Sequence, residues 1–253
     1  MRLLVIADGD VPSRDALDAA WPGWSDAVEP LIAADGGAAK AGQLGLQPDL
    51  VVGDLDSLAP DALARLEAAG VAIERVPAAK DESDTELACL RAVERGATEI
   101  TILGALGGRF DHALANVWLL ALPAFSGRSV QLLDAVTRVR LLSAVAGAGG
   151  AARIDLSGPA GDLVTLLPFG DEVEGVCTEG LLYPLRDEPL RPGPSRGLSN
   201  VREAREASVS IRAGRLLVIE TRTGGRGNGN LGNLGNLGET GETGETGSEG
   251  ATA

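Results

Sequence analysis

The sequence predicts an α/β domain over residues 1–142 followed by a small all-β sandwich over residues 150–222. Three observations carry that prediction. Uninterrupted apolar runs of strand length alternate with helical patterns about five times, as in a parallel sheet covered on both faces by helices. After about Leu142 the helical pattern stops, and short stretches are separated by turn pairs such as Gly158-Pro159, Gly170-Asp171 and Ala213-Gly214. Residues 224–253 are Asn-Leu-Gly and Gly-Glu-Thr repeats with too little apolar surface to offset chain entropy, so a disordered tail is expected.

Arg2 to Ala7 is the first apolar run, and it exits through Asp8-Gly9-Asp10. Pro12 and Ser13 open a helix with Ala16, Leu17 and Ala20 on one face. Leu31 to Ala34 is a second strand ending in Asp35-Gly36-Gly37-Ala38, followed by a short helix to about Leu44. Leu50-Val51-Val52 feeds Gly53-Asp54-Leu55-Asp56-Ser57. Pro60 starts a helix with Leu63, Leu66 and Ala69 inward and Gly70 at its C′ position. Val71 to Val76 is a strand. Ser83 and Glu86 have capping-box spacing, which places a helix from Asp84 with Leu87, Leu90 and Val93 inward. Glu99 to Leu103 runs into Gly104-Ala105-Leu106-Gly107-Gly108-Arg109-Phe110-Asp111-His112. A helix from Asp111 to Leu122 stops at Pro123, and Val130 to Leu133 closes the parallel set, a Rossmann-like layout. Past the glycine break at 147–150, strands are expected at 153–157, 163–169, 175–182, 207–212 and 216–221. Ser208 to Arg212 alternates polar and apolar, as a half-buried antiparallel strand does.

With 253 residues the chain can bury a substantial core, and 44% hydrophobic residues is ordinary for a globular protein. The net charge is −14; the tail holds Arg226 against Glu239, Glu242, Glu245 and Glu249, or −3, leaving −11 on the rest. An acidic body argues against a sequence-independent grip on nucleic acid or on an anionic membrane. Cys89 and Cys177 lie far apart with no C-x-x-C partner, which suggests neither a disulfide framework nor a zinc site. The apolar N-terminal run is too short for a signal peptide and no run reaches transmembrane length, so a cytoplasmic location is expected.

In a parallel sheet of this kind ligands bind at the carboxyl ends of the strands. The polar motifs sit there, in four loops carrying Asp35, Asp54 with Asp56, Asp81 with Asp84, and Arg109 with Asp111. Carboxylates spaced i and i+2 on extended chain project to one side, roughly 7 Å apart, and can hold a hard cation. Asp54, Asp56, Asp81 and Asp84 in one crevice would repel one another without a divalent ion, and oxygen ligands without His or Cys favour Mg²⁺. Taken singly, the D-x-D is also compatible with a solvated turn, and Asp84 and Asp111 with helix caps. Gly36-Gly37 and Gly104-x-x-Gly107-Gly108 are turns whose backbone N–H groups can approach phosphate oxygens. Lys80 and Arg109 can neutralise phosphate charge, Arg109 also being placed to pair with Asp111. The chain has neither G-x-x-x-x-G-K-[ST] nor G-x-G-x-x-G after the first strand. His112, the single histidine, receives no role.

Five motifs then fall in order over residues 1–222: Ala34-Asp35-Gly36-Gly37-Ala38; Pro48-Asp49-x-x-x-Gly53-Asp54-x-Asp56-Ser57; Lys80-Asp81-x-Ser83-Asp84-x-Glu86; Gly104-x-x-Gly107-Gly108-Arg109-x-Asp111-His112; and Gly197-Leu198-Ser199-Asn200. The set resembles the thiamine pyrophosphokinase (thiamine diphosphokinase) family. The resemblance implies an α/β ATP domain, a β-sandwich thiamine domain, and transfer of the diphosphoryl group of ATP to thiamine with release of AMP. By position it implies that Asp54, Asp56 and Asp84 hold Mg²⁺, and that Asp35, Gly36, Lys80, Asp81, Ser83, Gly108, Arg109 and Asp111 line the ATP and reaction site. Ser199 and Asn200 would contact thiamine, in a homodimer whose site lies between protomers. Asp111 is a candidate to accept or orient the hydroxyl proton.

Two positions depart from the pattern. Ser83 replaces Thr and keeps the hydroxyl, whereas Val201-Arg202 follow Asn200 where some members stack thiamine on Trp. Arg202 is therefore expected to oppose a cationic thiazolium. Competing readings are a pyrophosphokinase for another alcohol such as a pterin, a D-x-D glycosyltransferase, and a nucleotide-binding regulator without turnover. The Gly-Gly-Arg-x-Asp-His loop and the short chain argue against the glycosyltransferase.

Overall fold

The structure is a computed structural model and describes residues 1–26, 28–145 and 151–224. The glycine break at 147–150 and the repeat tail from 225 onward lie outside the described residues. The six expected parallel strands are present: β1 (Arg2–Ile6), β2 (Val28–Ala34), β3 (Leu50–Gly53), β4 (Ala72–Arg75), β5 (Glu99–Leu103) and β6 (Ser129–Leu133). They lie side by side in the order β6-β5-β1-β2-β3-β4. The connection from β4 to β5 crosses the array, so the strand order reverses between β1 and β5, and the loops after these two strands pack on one another, the Gly9 N–H donating to the Gly104 carbonyl at 3.0 Å.

Among the described residues five α-helices cover the two faces. On one face lie α1 (Arg14–Ala20), α2 (Gly37–Gln43) and α3 (Pro60–Ala68), with Leu17, Ala38 and Ala41 buried against Leu4, Ile6, Ala33 and Val51. The opposite face carries α4 (Asp84–Glu94) and α5 (Phe110–Leu119). Helix α4 buries Leu87, Ala88, Cys89 and Ala92 beside Val5, Ile32 and Val52. Small residues let α4 press flat on the strands, so Leu90 and Val93, expected inward, are only half-buried at its flanks. Ala69 is exposed beyond the end of α3, where it caps the helix instead of packing.

The sheet continues past residue 142. β7 (Thr137–Ala144) pairs antiparallel with β6, and β14 (Gly214–Thr221), β9 (Leu163–Pro168) and β12 (Asn200–Val201) extend it to ten strands. A second sheet of β11 (Glu188–Leu190), β10 (Val173–Glu179), β13 (Glu206–Ile211) and β8 (Ala152–Ser157) lies over this extension. Leu156, Val164, Val176, Val209, Leu216 and Val218 from the two sheets share one core. The fold is thus mixed α/β, with a large mixed sheet and a separate antiparallel sheet. The sequence pattern does not announce β7, because Arg138 and Arg140 interrupt its apolar run; both point at Glu220 of β14, at 2.7 and 2.6 Å. Among the described residues no helix is long and apolar enough to cross a membrane.

Candidate active site

Asp35 ends β2 in a left-handed backbone conformation (φ 46°), which Asp tolerates better than most residues. Its N–H donates to the Val52 carbonyl at 2.9 Å, fastening this loop to β3. A side chain at Gly53 would bring a Cβ within 2.9 Å of the Asp35 Cβ, so glycine lets the two loops meet. At Gly37 a Cβ would collide with the Ile6 carbonyl, and its absence lets α2 start against β1. The D-x-D segment is not extended. Leu55 is left-handed (φ 65°) and buried, and the Asp56 N–H donates to Asp54 Oδ1 at 3.3 Å. Turning Leu55 inward separates the two carboxylates: Asp54 is half-buried and Asp56 is exposed.

Asp84 is the first residue of α4, behind an Ser83 cap whose Oγ accepts from the Glu86 N–H at 3.1 Å. Oxygens of Asp35, Asp54 and Asp84 all lie within 4.8 Å of one another. Lys80 Nζ is 3.0 Å from Asp84 Oδ1 and also donates to the Pro77 carbonyl at 3.2 Å. That ion pair lacks hydrogen-bond geometry, and Asp84 Oδ1, like Asp35 Oδ1, is buried with no hydrogen-bond partner. Burial, then the neighbouring Asp84, Asp54 and Asp56, raise the Asp35 pKa against a hydrogen bond from Ser57. Three converging carboxylates, of which Asp84 alone pairs with a lysine, with Asp35 Oδ1 and Asp84 Oδ1 buried and without a hydrogen bond, form an all-oxygen donor set suited to a hard divalent cation. The grouping brings Asp35 to Asp54 and Asp84, and leaves Asp56 at the rim.

Asp8, at the exit of β1, was not singled out in the sequence. Its carboxylate occupies the space a Gly36 side chain would need, and burial raises its pKa against the pull of Lys40. Asp8-Gly9-Asp10 reads as a turn, and only the fold brings Lys40, Asp56 and Ser57 beside it. On the β5 side, Arg109 forks onto Asp111, with Nε to Oδ1 at 3.1 Å and Nη2 to Oδ2 at 2.6 Å. Both side chains are exposed, and the guanidinium holds Asp111 down at about 2. Gly108 is left-handed (φ 84°) with open space where a Cβ would stand, and Asp81 is exposed in the loop before α4. His112 is exposed and donates its backbone N–H to Asp111 at 3.0 Å.

Ser199 and Asn200 stand elsewhere. Asn200 lies on β12, eight interstrand steps from β3 in the sheet order, which at about 4.8 Å per step is roughly 38 Å. Its buried side chain is engaged with the Tyr183 backbone in both directions, at 3.0 and 2.7 Å. Ser199 is exposed and left-handed (φ 54°). Arg202 does not face an acceptor: it is 1% exposed, bound to Glu220 and to the Leu156 carbonyl, each at 2.9 Å. The expectation that it would oppose a thiazolium is therefore corrected, because the buried Glu220 draws it into the core.

Residues 24–132 match the family model described as thiamin pyrophosphokinase, catalytic domain, and residues 152–216 match thiamin pyrophosphokinase, vitamin B1 binding domain. The chain belongs to the thiamine pyrophosphokinase family. A thiamine pyrophosphokinase of Bacillus subtilis is 26% identical over 200 residues, covering 79% of this chain and 90% of the relative. The crystal structure of a thiamin pyrophosphokinase family protein from Enterococcus faecalis superposes with a TM-score of 0.72 at 28% identity, over 88% of this chain and 99% of the other. That of the Bacillus subtilis enzyme gives a TM-score of 0.75 at 24% identity, over 88% and 100%, and bears on the fold.

Proposed function

We propose that the crevice beyond β1, β2, β3 and β5 is where this member of the thiamine pyrophosphokinase family transfers the diphosphoryl group of ATP to the hydroxyl of thiamine, giving thiamine diphosphate and AMP. The observation that carries this reading is the convergence of Asp35, Asp54 and Asp84 with two buried, unsatisfied oxygens. These residues, with Asp56 at the rim, would hold Mg²⁺, which when bound supplies neutralising charge to the phosphate oxygens. Lys80 and Arg109 would bind the polyphosphate, with the open backbone at Gly108 admitting it, Gly36 leaving room for the Asp8 carboxylate at the rim of the ATP site, and Asp81 and Ser83 completing the ATP loop. Positioning and charge neutralisation then provide most of the rate, since phosphoryl transfer needs little covalent help. Asp111, held acidic by Arg109, is a weak base as it stands, and its role is to orient the attacking hydroxyl until phosphate draws Arg109 away.

The acceptor would be held by Ser199, and by the backbone that Asn200 shapes, from a second protomer. Two facts support a homodimer. Eight strand steps, roughly 38 Å measured along the sheet, separate β3 from β12 within one chain. Helix α5 also exposes Phe110, Leu114 and Trp118 (80%, 44% and 52%) at four-residue spacing, one apolar stripe beside Arg109 and Asp111. The first 142 residues would serve ATP in a Rossmann-like manner and residues 150–222 the acceptor, in the cytoplasm.

The test is AMP formation from Mg-ATP with thiamine or a hydroxymethyl pterin. AMP that depends on thiamine is expected. AMP with the pterin alone would reassign the acceptor, and ATP binding without AMP would leave a regulator.

A further inference from the structure

We propose that a second cavity, separate from the carboxylate crevice, binds a phosphorylated small organic molecule. It measures about 1140 Å³ and lies on the α1 face of the large sheet, between the Trp21–Trp24 turn and β8. Arg2, Val28, Glu99 and Ser129, at the amino-terminal ends of four parallel strands, lie along it, whereas Asp35, Asp54, Asp84 and Arg109 do not. Its floor is polar where the rest of this face is apolar: Gln131 Nε2 donates to Thr101 Oγ1 at 2.9 Å.

The charge at one end is out of balance. Arg138, Arg140 and Arg202 converge on the single carboxylate of Glu220, at 2.7, 2.6 and 2.9 Å, which leaves two positive charges uncompensated in a buried cluster. Arg138 and Arg140 line the cavity, and Arg140 Nε is buried without a hydrogen-bond partner. Burial, then Arg138, lowers the Arg140 pKa to about 10. The carboxylates of the lining are already engaged: Glu99 with Arg2 at 2.9 Å, Asp162 with Arg222 at 2.7 Å and Asp155 with Arg153 at 3.0 Å. Arg205, also on the lining, forms no ion pair among the described residues. In a chain of net charge −14 this local excess is not a by-product of composition.

A dianion resolves the imbalance, and guanidinium groups suit phosphate oxygens. The volume exceeds what a phosphate group fills, and Ala16, Ala19, Ala20 and Pro22 supply an apolar wall for an organic body. Arg138 and Arg222 stack on Trp21, 4.8 and 4.1 Å from its ring centre, which fixes the guanidiniums in place.

Calorimetric titration of the full chain without ATP, using inorganic phosphate and phenyl phosphate, tests this. Saturable binding is expected, tighter for phenyl phosphate, and weakened tenfold or more in Arg140→Gln. Arg205→Gln, which leaves the buried cluster untouched, is expected to weaken it as well, and Arg109→Gln to leave it unchanged. Absence of saturable binding, wild-type affinity in both Arg140→Gln and Arg205→Gln, or loss confined to Arg109→Gln would overturn the proposal. Equal affinity for the two probes would overturn its organic part.

Discussion

Asp35 is held between opposing demands. Its backbone ties β2 to β3, while its carboxyl is buried beside Asp54 and Asp84 and its pKa is raised. A raised carboxylate pKa means the folded state binds the proton more tightly than the unfolded chain. Stability of the metal-free protein is therefore full below the ordinary value of 3.8 and falls as pH rises through the folded pKa. Asparagine keeps the left-handed conformation and removes the charge, so metal-free Asp35→Asn should be more stable at neutral pH. Removing one buried charge from among like charges, at about 1 kcal/mol, corresponds to a rise of about 2–4 °C in Tm. Thermal melts should show that rise together with loss of stabilisation by Mg²⁺; a Tm below wild type without metal would contradict the account of this residue. Asp35, Asp54 and Asp84 were legible because each ends an apolar run or opens a helix. Asp8 was not, since its partners come from distant segments. The separation of Asp56 from Asp54 depends on the left-handed turn at Leu55, which nothing in that residue type announces.

At the scale of elements, α5 and the seam between β7 and β14 depend on partners that a local pattern does not show. Phe110, Leu114 and Trp118 recur at four-residue spacing, and such periodicity reports amphipathicity and not what covers the apolar face. Leu114→Glu should leave the fold intact, convert a dimer to monomers in sedimentation and abolish AMP formation. A monomer that keeps full activity would exclude a site shared between protomers. Along the seam, Glu220→Gln leaves Arg138, Arg140 and Arg202 buried without a countercharge. Removing one partner of such a group costs about 3–5 kcal/mol, measurable as a lower denaturant midpoint. The parallel strands and their helices were readable from apolar runs, caps and glycines. β7 was hidden because its inward arginines make sense only opposite Glu220, and β11 and β12, at three and two residues, are too short to carry a pattern.

At the scale of the molecule, one ten-stranded sheet fixes the distance between the two halves of the chemistry. If Ser199 and its neighbours serve the crevice of a partner, chains with separate lesions should complement each other. Asp54→Asn and Ser199→Trp, each inactive alone, should regain activity when unfolded and refolded together, since one site of the mixed dimer carries neither change. No recovery from properly mixed dimers would place both halves of the site in one chain. The claim on which the rest depends is that the carboxylates of β2, β3 and α4 form the transfer site. Thiamine-dependent AMP formation by folded Asp54→Asn and Asp84→Asn, titrated with Mg²⁺, tests it most directly. A loss of at least about 100-fold is expected, the scale of removing one transition-state electrostatic contact, with a higher Mg²⁺ requirement for any residual rate; wild-type rates and Mg²⁺ dependence in both variants would contradict a transfer site at these carboxylates.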